Sequence, residues 1–316
     1  VLPTWSLPLG QPPEFEPAYL RLHRSGELAD RARRAVERLR SCDLCPRTCR
    51  VDRILSARGA VCRTGRHAVV HAAFPHHGEE RPIRGAGGSG TIFFSSCNLR
   101  CLYCQNWEIS WRSEGQEVDA AGLARMMLDL QTRGCHNVNL VSPSHVVAQV
   151  LEALDLAAGK GLRLPLVYNT GGYDALSALA LLDGVVDVYM PDMKYADERA
   201  GHRLSGVRDY VRVNRAAVKE MHRQVGDLRV DARGVAVRGL LVRHLVLPGG
   251  AAGTDAVMRF LATRVSRDTY VNVMDQYRPC HRAGEVPEID RRPTGAEIDA
   301  AVEAARRHGI HRLDPG

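Results

Sequence analysis

The chain has 316 residues, 45% of them hydrophobic and 25% charged, which excludes disordered, collagen-like and coiled-coil classes. Lys and Arg total 43 against 36 Asp and Glu, a net charge of +7. No long basic tract and no nucleic-acid motif accompanies that surplus, so it reads as a solvated surface and predicts no specific nucleic-acid partner. The cysteines are the informative residues: there are nine, and seven fall between Cys42 and Cys104. No apolar run approaches the ~18–20 residues of a membrane span, and no charged-then-apolar leader is present. The expectation is a cytoplasmic protein without a membrane partner, whose clustered cysteines serve metal or redox chemistry rather than disulfides.

In chain order, residues 1–12 are rich in Pro, Leu and Gly and read as an extended lead-in. From Pro17 to Leu39, apolar residues at helical spacing predict a helix. The stretch Cys42 to Cys62 has few periodic apolar positions and reads as a loop ordered by something other than a core. A polar segment with His76, His77, Glu79 and Glu80 follows, expected as a solvated loop rather than a metal site. Gly85 to Gly90 precedes a strand and lacks the Lys-Ser/Thr of a phosphate loop, so it reads as a flexible entry turn.

Strands and helices then alternate. Strands are predicted at Thr91–Phe94, Val138–Val141, Leu164–Tyr168, Val185–Met190, Leu240–Leu247 and Tyr270–Met274. Helical segments are predicted at Leu123–Leu130, Val146–Ala158, Leu176–Leu182, Ala216–Val225, Ala256–Val265 and Ala296–Arg307. Six such units predict an α/β fold, an open partial (β/α)6 barrel of parallel strands. The expected division is an N-terminal helix and cysteine-rich extension over 1–84, the barrel over 85–280 and a helical tail over 281–316. In such sheets ligands gather at the carboxyl ends of the strands.

Directly after the first predicted strand stand Cys97, Cys101 and Cys104, spaced C-x3-C-x2-C. A compact loop of this spacing can point three thiolates at one iron–sulfur cube and leave its fourth iron open, since full ligation takes four cysteines. Zinc normally takes four ligands in paired C-x2-C spacings, which the triplet lacks.

The triplet, with Tyr103 before its last cysteine, resembles the radical S-adenosylmethionine superfamily. The segments Gly90–Phe94, Cys97–Ser110, Asn169–Tyr173 and Asp275–Pro279 resemble more closely an uncharacterised branch similar to pyruvate formate-lyase activating enzymes. The resemblance spans Cys42 to Pro279. It implies a [4Fe–4S] cluster on Cys97, Cys101 and Cys104, with S-adenosylmethionine on the open iron. It also implies reductive cleavage to a 5′-deoxyadenosyl radical for hydrogen-atom abstraction, with Tyr103 against the adenine region. Further implications are activation of a glycyl-radical enzyme, and a flavodoxin or ferredoxin as electron donor. Modification of another peptide or a small metabolite, or a non-catalytic metal-binding module, are the alternatives.

At later strand ends, the resemblance gives Asn169 and Thr170 a monovalent-cation site beside the cosubstrate carboxylate, although Asn169 replaces a family Asp and lacks its charge. Asp192 and Lys194 match an Asp-x-Lys pair used for cosubstrate and cation, and Arg243 a contact to the cosubstrate carboxylate. Where the superfamily carries a Gly-Gly-Glu-like turn for the methionine amine, this chain reads Ser142-Pro143-Ser144-His145. Ser142 and Ser144 can accept that amine's hydrogen bonds, and Ser144 can equally cap the following helix.

Cys42, Cys45, Cys49 and Cys62 are spaced C-x2-C-x3-C-x12-C, and four thiolates in so short a run suit zinc or a second [4Fe–4S] cluster. Cys135 reads as a small buried hydrophobe, and Cys280 as structural.

Overall fold

The computed structural model describes residues 15–315; the lead-in expected over residues 1–12 lies outside them. The described strands are β1 (Ala68–His76), β2 (Ser89–Phe94), β3 (Gln116–Val118), β4 (Val138–Val141), β5 (Leu166–Thr170), β6 (Val188–Pro191), β7 (Arg229–Val230), β8 (Ala236–Leu245) and β9 (Tyr270–Met274). They form one sheet in the order β3-β1-β2-β4-β5-β6-β8-β7, with β9 also pairing β8. The ladders linking β2, β4, β5, β6, β8 and β9 are all parallel. These are the six strands legible in the sequence, and helices return between them as parallel strands require.

The sheet is mixed at its margins. β1 lies antiparallel to β2 and to β3, so it occupies the outer edge of the first barrel strand. β7 lies antiparallel to β8. The C-terminal segment bridges the other end, Leu313 pairing with Val271 of β9.

The expected helix over Pro17–Leu39 is two helices, Tyr19–Arg24 and Glu27–Glu37. Gly26 between them holds a φ of 80°, a left-handed turn that ends the first helix. Tyr19, Leu28, Ala35 and Leu39 pack into the main core with the helix Val147–Gly159. On the sheet, Ile92, Leu140, Tyr168 and Tyr189 join that same core under the helices. Val167, Val188, Met190 and Leu241 form a separate cluster with Ile83. Alternation along each strand therefore assigns one set to the outer face and the other to the barrel interior.

Ile83 belongs to a short helical turn, Arg81–Arg84, that plugs the amino-terminal end of the barrel. The Asn137 side chain donates to the Ile83 carbonyl at 2.7 Å. Of the segment expected as a solvated loop, His77 is exposed, His76 and Glu79 are half-buried, and Glu80 is buried next to this plug. Gly85–Gly90 is an entry turn, but a tightly packed one. A Cβ on Gly87 would lie 2.4 Å from the Gly134 carbonyl oxygen, and one on Gly90 2.5 Å from that of Asn137. Glycine is required there for close backbone approach. No helix among the described residues is long and apolar enough to cross a membrane.

Asp187 ties the N-terminal helices to the sheet. Its carboxylate accepts the Ala18 amide at 2.9 Å and the Leu166 amide at 3.0 Å. Burial pushes its carboxyl up to about 7 against the pull of those two amides. The folded chain then keeps a proton that an unfolded Asp, titrating near ~3.9, has released. Stability from this group is full below about pH 4 and is lost as the pH rises towards 7. Asp187→Asn removes the dependence. Between about pH 5 and about pH 8, the difference in unfolding temperature should move in the variant's favour; a difference that stays constant contradicts the assignment.

Candidate functional site

The loop after β2 carries Cys97, Cys101 and Cys104 at the carboxyl rim of the parallel strands. It is fixed by backbone and side-chain bonds from several directions. The Arg100 and Leu102 amides donate to the Ser205 and Leu204 carbonyls at 3.0 and 2.9 Å. The Asn98 side chain donates to the Tyr173 carbonyl at 2.7 Å, and Arg47 donates to the Asn98 carbonyl at 2.8 Å. The Arg282 amide closes the far side on the Leu102 carbonyl at 2.8 Å. Ser96 turns the chain with a φ of 69°.

Each thiol has a polar neighbour. Cys101 lies 3.0 Å from the Ser205 hydroxyl, Cys104 lies 3.1 Å from the Ser110 hydroxyl, and the Leu99 amide donates to Cys97 at 3.4 Å. Burial, together with Cys101 and Cys104, pushes the Cys97 thiol up to about 12. Burial likewise raises Cys101, while the Lys194 ammonium pulls it down. The three thiols and Lys194 therefore share one environment, in which bound cations would relieve the cost of three thiolates. Among the described residues, no three His, Cys, Asp or Glu side chains close on a single ion. Hydrogen bonds to the sulfurs are a standard means of tuning an iron–sulfur cluster.

Four of the strand-end residues singled out by sequence are joined directly. Arg243 on β8 donates through Nε to Asp192 at 2.9 Å and through Nη2 to the Asn169 side-chain oxygen at 2.6 Å. Lys194 donates to the other Asp192 oxygen at 2.6 Å. Asp192 and Arg243 are also paired by a backbone bridge. Burial pushes the Asp192 carboxyl up, but Arg243 and Lys194 outweigh it and hold the carboxyl below its usual range. Gly172 beside this group has a φ of 74°, and a Cβ there would meet the Asn214 amide and the Asp192 carbonyl at 2.2 Å.

Thr170 and Ser144 form a second group. Thr170 donates to Asp174 at 2.7 Å, which leaves Ser144 as donor to Thr170 at 2.9 Å. Tyr168 donates to the other Asp174 oxygen at 3.0 Å. Ser144 is not the helix cap: Val147–Gly159 is preceded by Val146 and has no side-chain cap. Ser142 has a φ of 60°, and its amide donates to the Asn169 carbonyl at 2.8 Å. Burial drives His145 down to about 3, so it is neutral and donates to the Ser95 carbonyl at 3.0 Å.

Tyr103 is buried in an apolar cluster with Leu99, Tyr173, Tyr195 and Tyr210. Its hydroxyl lies 2.6 Å from that of Tyr195, which lies 2.6 Å from the Ser205 hydroxyl. A chain of hydroxyls therefore connects Tyr103 to the Cys101 sulfur.

Several residues of the barrel interior were not anticipated. Glu79 lies 3.9 Å from Arg243 and accepts from the Asn139 side chain at 3.2 Å. Glu80 accepts from the Asn272 side chain at 2.9 Å. Burial raises the Glu79 carboxyl although Arg243 opposes it. The signal for this wall was present: Asn139 and Asn272 interrupt apolar strands, as Asn169 and Arg243 do.

The upstream cysteines are largely withdrawn from solvent. Cys42, Cys45 and Cys62 are buried and Cys49 is half-buried. Cys45 is pushed up to about 12, first by burial and then by the other three thiols. Thr48, Arg50 and Arg63 around them hold positive φ angles of 42°, 57° and 50°. For such residues this costs about 1–2 kcal/mol each. Cys135 is buried as expected. Cys280 is half-buried, and its neighbour His281 stacks on Trp107 with ring centroids 5.2 Å apart.

Residues 83–198 match the family model described as a 4Fe-4S single cluster domain. Uncharacterized protein MJ0674 of Methanocaldococcus jannaschii is 31% identical over 284 residues, which cover 86% of this chain and 76% of that protein. A radical SAM methyltransferase from Sphaerobacter thermophilus superposes with a TM-score of 0.50 at 15% identity, over 72% of this chain and 67% of its own. SuiB of Streptococcus suis, bound to its precursor peptide SuiA, gives 0.47 at 13% identity over 69% and 46%. The superposition on the methyltransferase shows a fold similar to that of a radical SAM enzyme.

Asp192 is the counter-charge of two half-buried cations, Arg243 and Lys194. Asp192→Asn should cost about 1–3 kcal/mol, less than for a fully buried pair, because it leaves the half-buried Arg243 and Lys194 under-compensated. Denaturant unfolding of the variant checks this, and a stability unchanged from the parent would contradict it.

Proposed function

We propose that this chain, which belongs to the family of the Methanocaldococcus jannaschii protein, is an iron–sulfur enzyme that cleaves S-adenosylmethionine reductively. The observation that carries this reading is the hydrogen-bonded set Asn169, Asp192, Lys194 and Arg243, gathered from three strand ends next to the cysteine triplet. The match to a 4Fe-4S domain model across the triplet supports it. Cys97, Cys101 and Cys104 would hold a [4Fe–4S] cluster with one iron open to the cosubstrate. Such a cluster would supply the electron for reductive cleavage of the cosubstrate and so the means of hydrogen-atom abstraction.

The chain's own groups bind and orient. Arg243 and Lys194 present positive charge at the rim for the methionyl carboxylate, Lys194 with ammonium donors beyond the one given to Asp192. The Asn169 oxygen, Asp192 and the Ser142–Ser144 turn present acceptors for the amine. Lys194 also offsets negative charge at the thiolates. Thr170 and Asp192 are the groups that would serve a monovalent cation. Tyr103 braces the loop from beneath through Tyr195 and Ser205.

For the acceptor we infer the activating type, with the hydrogen atom taken from a glycine of a partner enzyme and electrons delivered by a flavodoxin or ferredoxin. This rests on the segments Cys97–Ser110, Asn169–Tyr173 and Asp275–Pro279. The Ser142–His145 turn and Asn169 depart from that type. They favour, as a second reading, another peptide or a small metabolite as acceptor.

Anaerobically reconstituted protein given dithionite should release 5′-deoxyadenosine and methionine from S-adenosylmethionine. Cys101→Ala should abolish the release, and Arg243→Lys should raise the cosubstrate concentration required by roughly tenfold. A fully loaded cluster that releases nothing would sink the reading.

A further inference from the structure

A second concentration of sulfur lies away from the strand-end set, and it surrounds a buried cation. Arg53 is 1% exposed. Its guanidinium donates to the Thr64 and Gly65 carbonyls at 2.6 and 3.5 Å, and to the Cys42 sulfur at 3.4 Å. Among the described residues none of its ion pairs is with a carboxylate; the groups that act on it electrostatically are the sulfurs of Cys62, Cys42 and Cys45. A guanidinium removed from water needs a compensating anion, and neutral thiols supply none.

We propose that Cys42, Cys45, Cys49 and Cys62, no three of which close on a single ion as the chain stands, come together on a thiophilic metal centre, a zinc ion or an iron–sulfur cluster, whose negative charge the buried Arg53 balances. Binding releases the thiol protons to solvent and leaves four thiolates on the metal, a net anionic group. This accounts for the loop as well as for the cation. Between the turn Arg38–Ser41 and β1 the backbone has no helix or strand. Thr48 and Arg50 bracket Cys49, and Arg63 follows Cys62, all three in the left-handed region. Backbone of that kind persists only where surrounding contacts over-determine it. Shared ligation of Cys42, Cys45, Cys49 and Cys62 provides such a constraint across the whole segment.

The test keeps the two sulfur sites apart. The full chain carrying Cys97→Ala, Cys101→Ala and Cys104→Ala is purified anaerobically and analysed for zinc, iron and acid-labile sulfide. It should retain roughly one zinc, or roughly four irons with matching sulfide, per chain. Adding Cys45→Ser and Cys62→Ser should remove that metal. Arg53→Met should release it to a chelator at least about tenfold faster, and Arg53→Lys less so. In the unmodified chain, alkylation mapped by mass spectrometry should find the four thiols protected until the metal is stripped, a measurement independent of any variant's folding. Absence of metal from the triple variant, with the four thiols of the unmodified chain reacting as fast as Cys280, overturns the proposal. Metal that survives the added serines also overturns it, and Arg53→Met behaving like the parent overturns the role of Arg53. Failure of the cosubstrate chemistry would leave all these readouts untouched.

Discussion

A carboxylate held ionised inside the barrel rim, between two cations, is the constraint on which this molecule's architecture turns. Asp192 would rise in pKa from burial alone, and it stays ionised because Arg243 and Lys194 face its two oxygens. It offsets much of the cost of holding both cations there, with Glu79 and Asn169 as further partners of Arg243. The arrangement is possible only if strand ends meet in register. The Asp192 amide donates to the Thr170 carbonyl and the Met193 amide to the Arg243 carbonyl, each at 2.8 Å. Parallel pairing of β5, β6 and β8 therefore sets the distances among side chains that are far apart in sequence.

Arg243 also links the rim to the barrel's other end. It reaches up to Asp192 and Asn169, and down towards Glu79. Below it, Asn139 and Asn272 receive the two acidic residues beside the plug, while Ile83 fills the space among Val167, Val188 and Leu241. The interior is thus layered, apolar at the plug and polar above. A polar upper layer suits an amino-acid-like ligand better than an apolar one, because each unpaired buried group would otherwise carry a desolvation cost.

The six parallel strands were legible because each is a short apolar run followed by helical periodicity. Cys97, Cys101 and Cys104 were legible because their spacing is local. Asp192, Lys194 and Arg243 could be placed at strand ends, but their mutual bonding could not, since it depends on register between strands. β1 escaped because Ala68–His76 shows no clean alternation and carries Pro75, although backbone pairing with β2 holds it in the sheet. Glu79 and Glu80 escaped because composition marks them as solvated, and only Arg243, Asn139 and Asn272 make their burial tolerable. Ser144 read equally as a cap, and the distinction rests on Thr170 and Asp174, which lie on the next strand and its loop.

Arg100 makes the two cysteine loops one packing unit. Its backbone belongs to the triplet loop, bonded to Ser205, while its side chain donates to the Val61 carbonyl beside Cys62 and to the Ser110 carbonyl at 3.2 Å. Arg47, two residues after Cys45, reaches the same loop through Asn98 and also donates to the Gly206 carbonyl at 2.9 Å. The triplet loop has no regular secondary structure between Ser95 and Asn106, so its shape is set by these tethers. Two of them originate in the upstream cysteine segment. Whatever orders that segment consequently acts on the positions of Cys97 and Cys101. This gives the N-terminal region a physical role in the strand-end site although none of its side chains lies at a parallel-strand end.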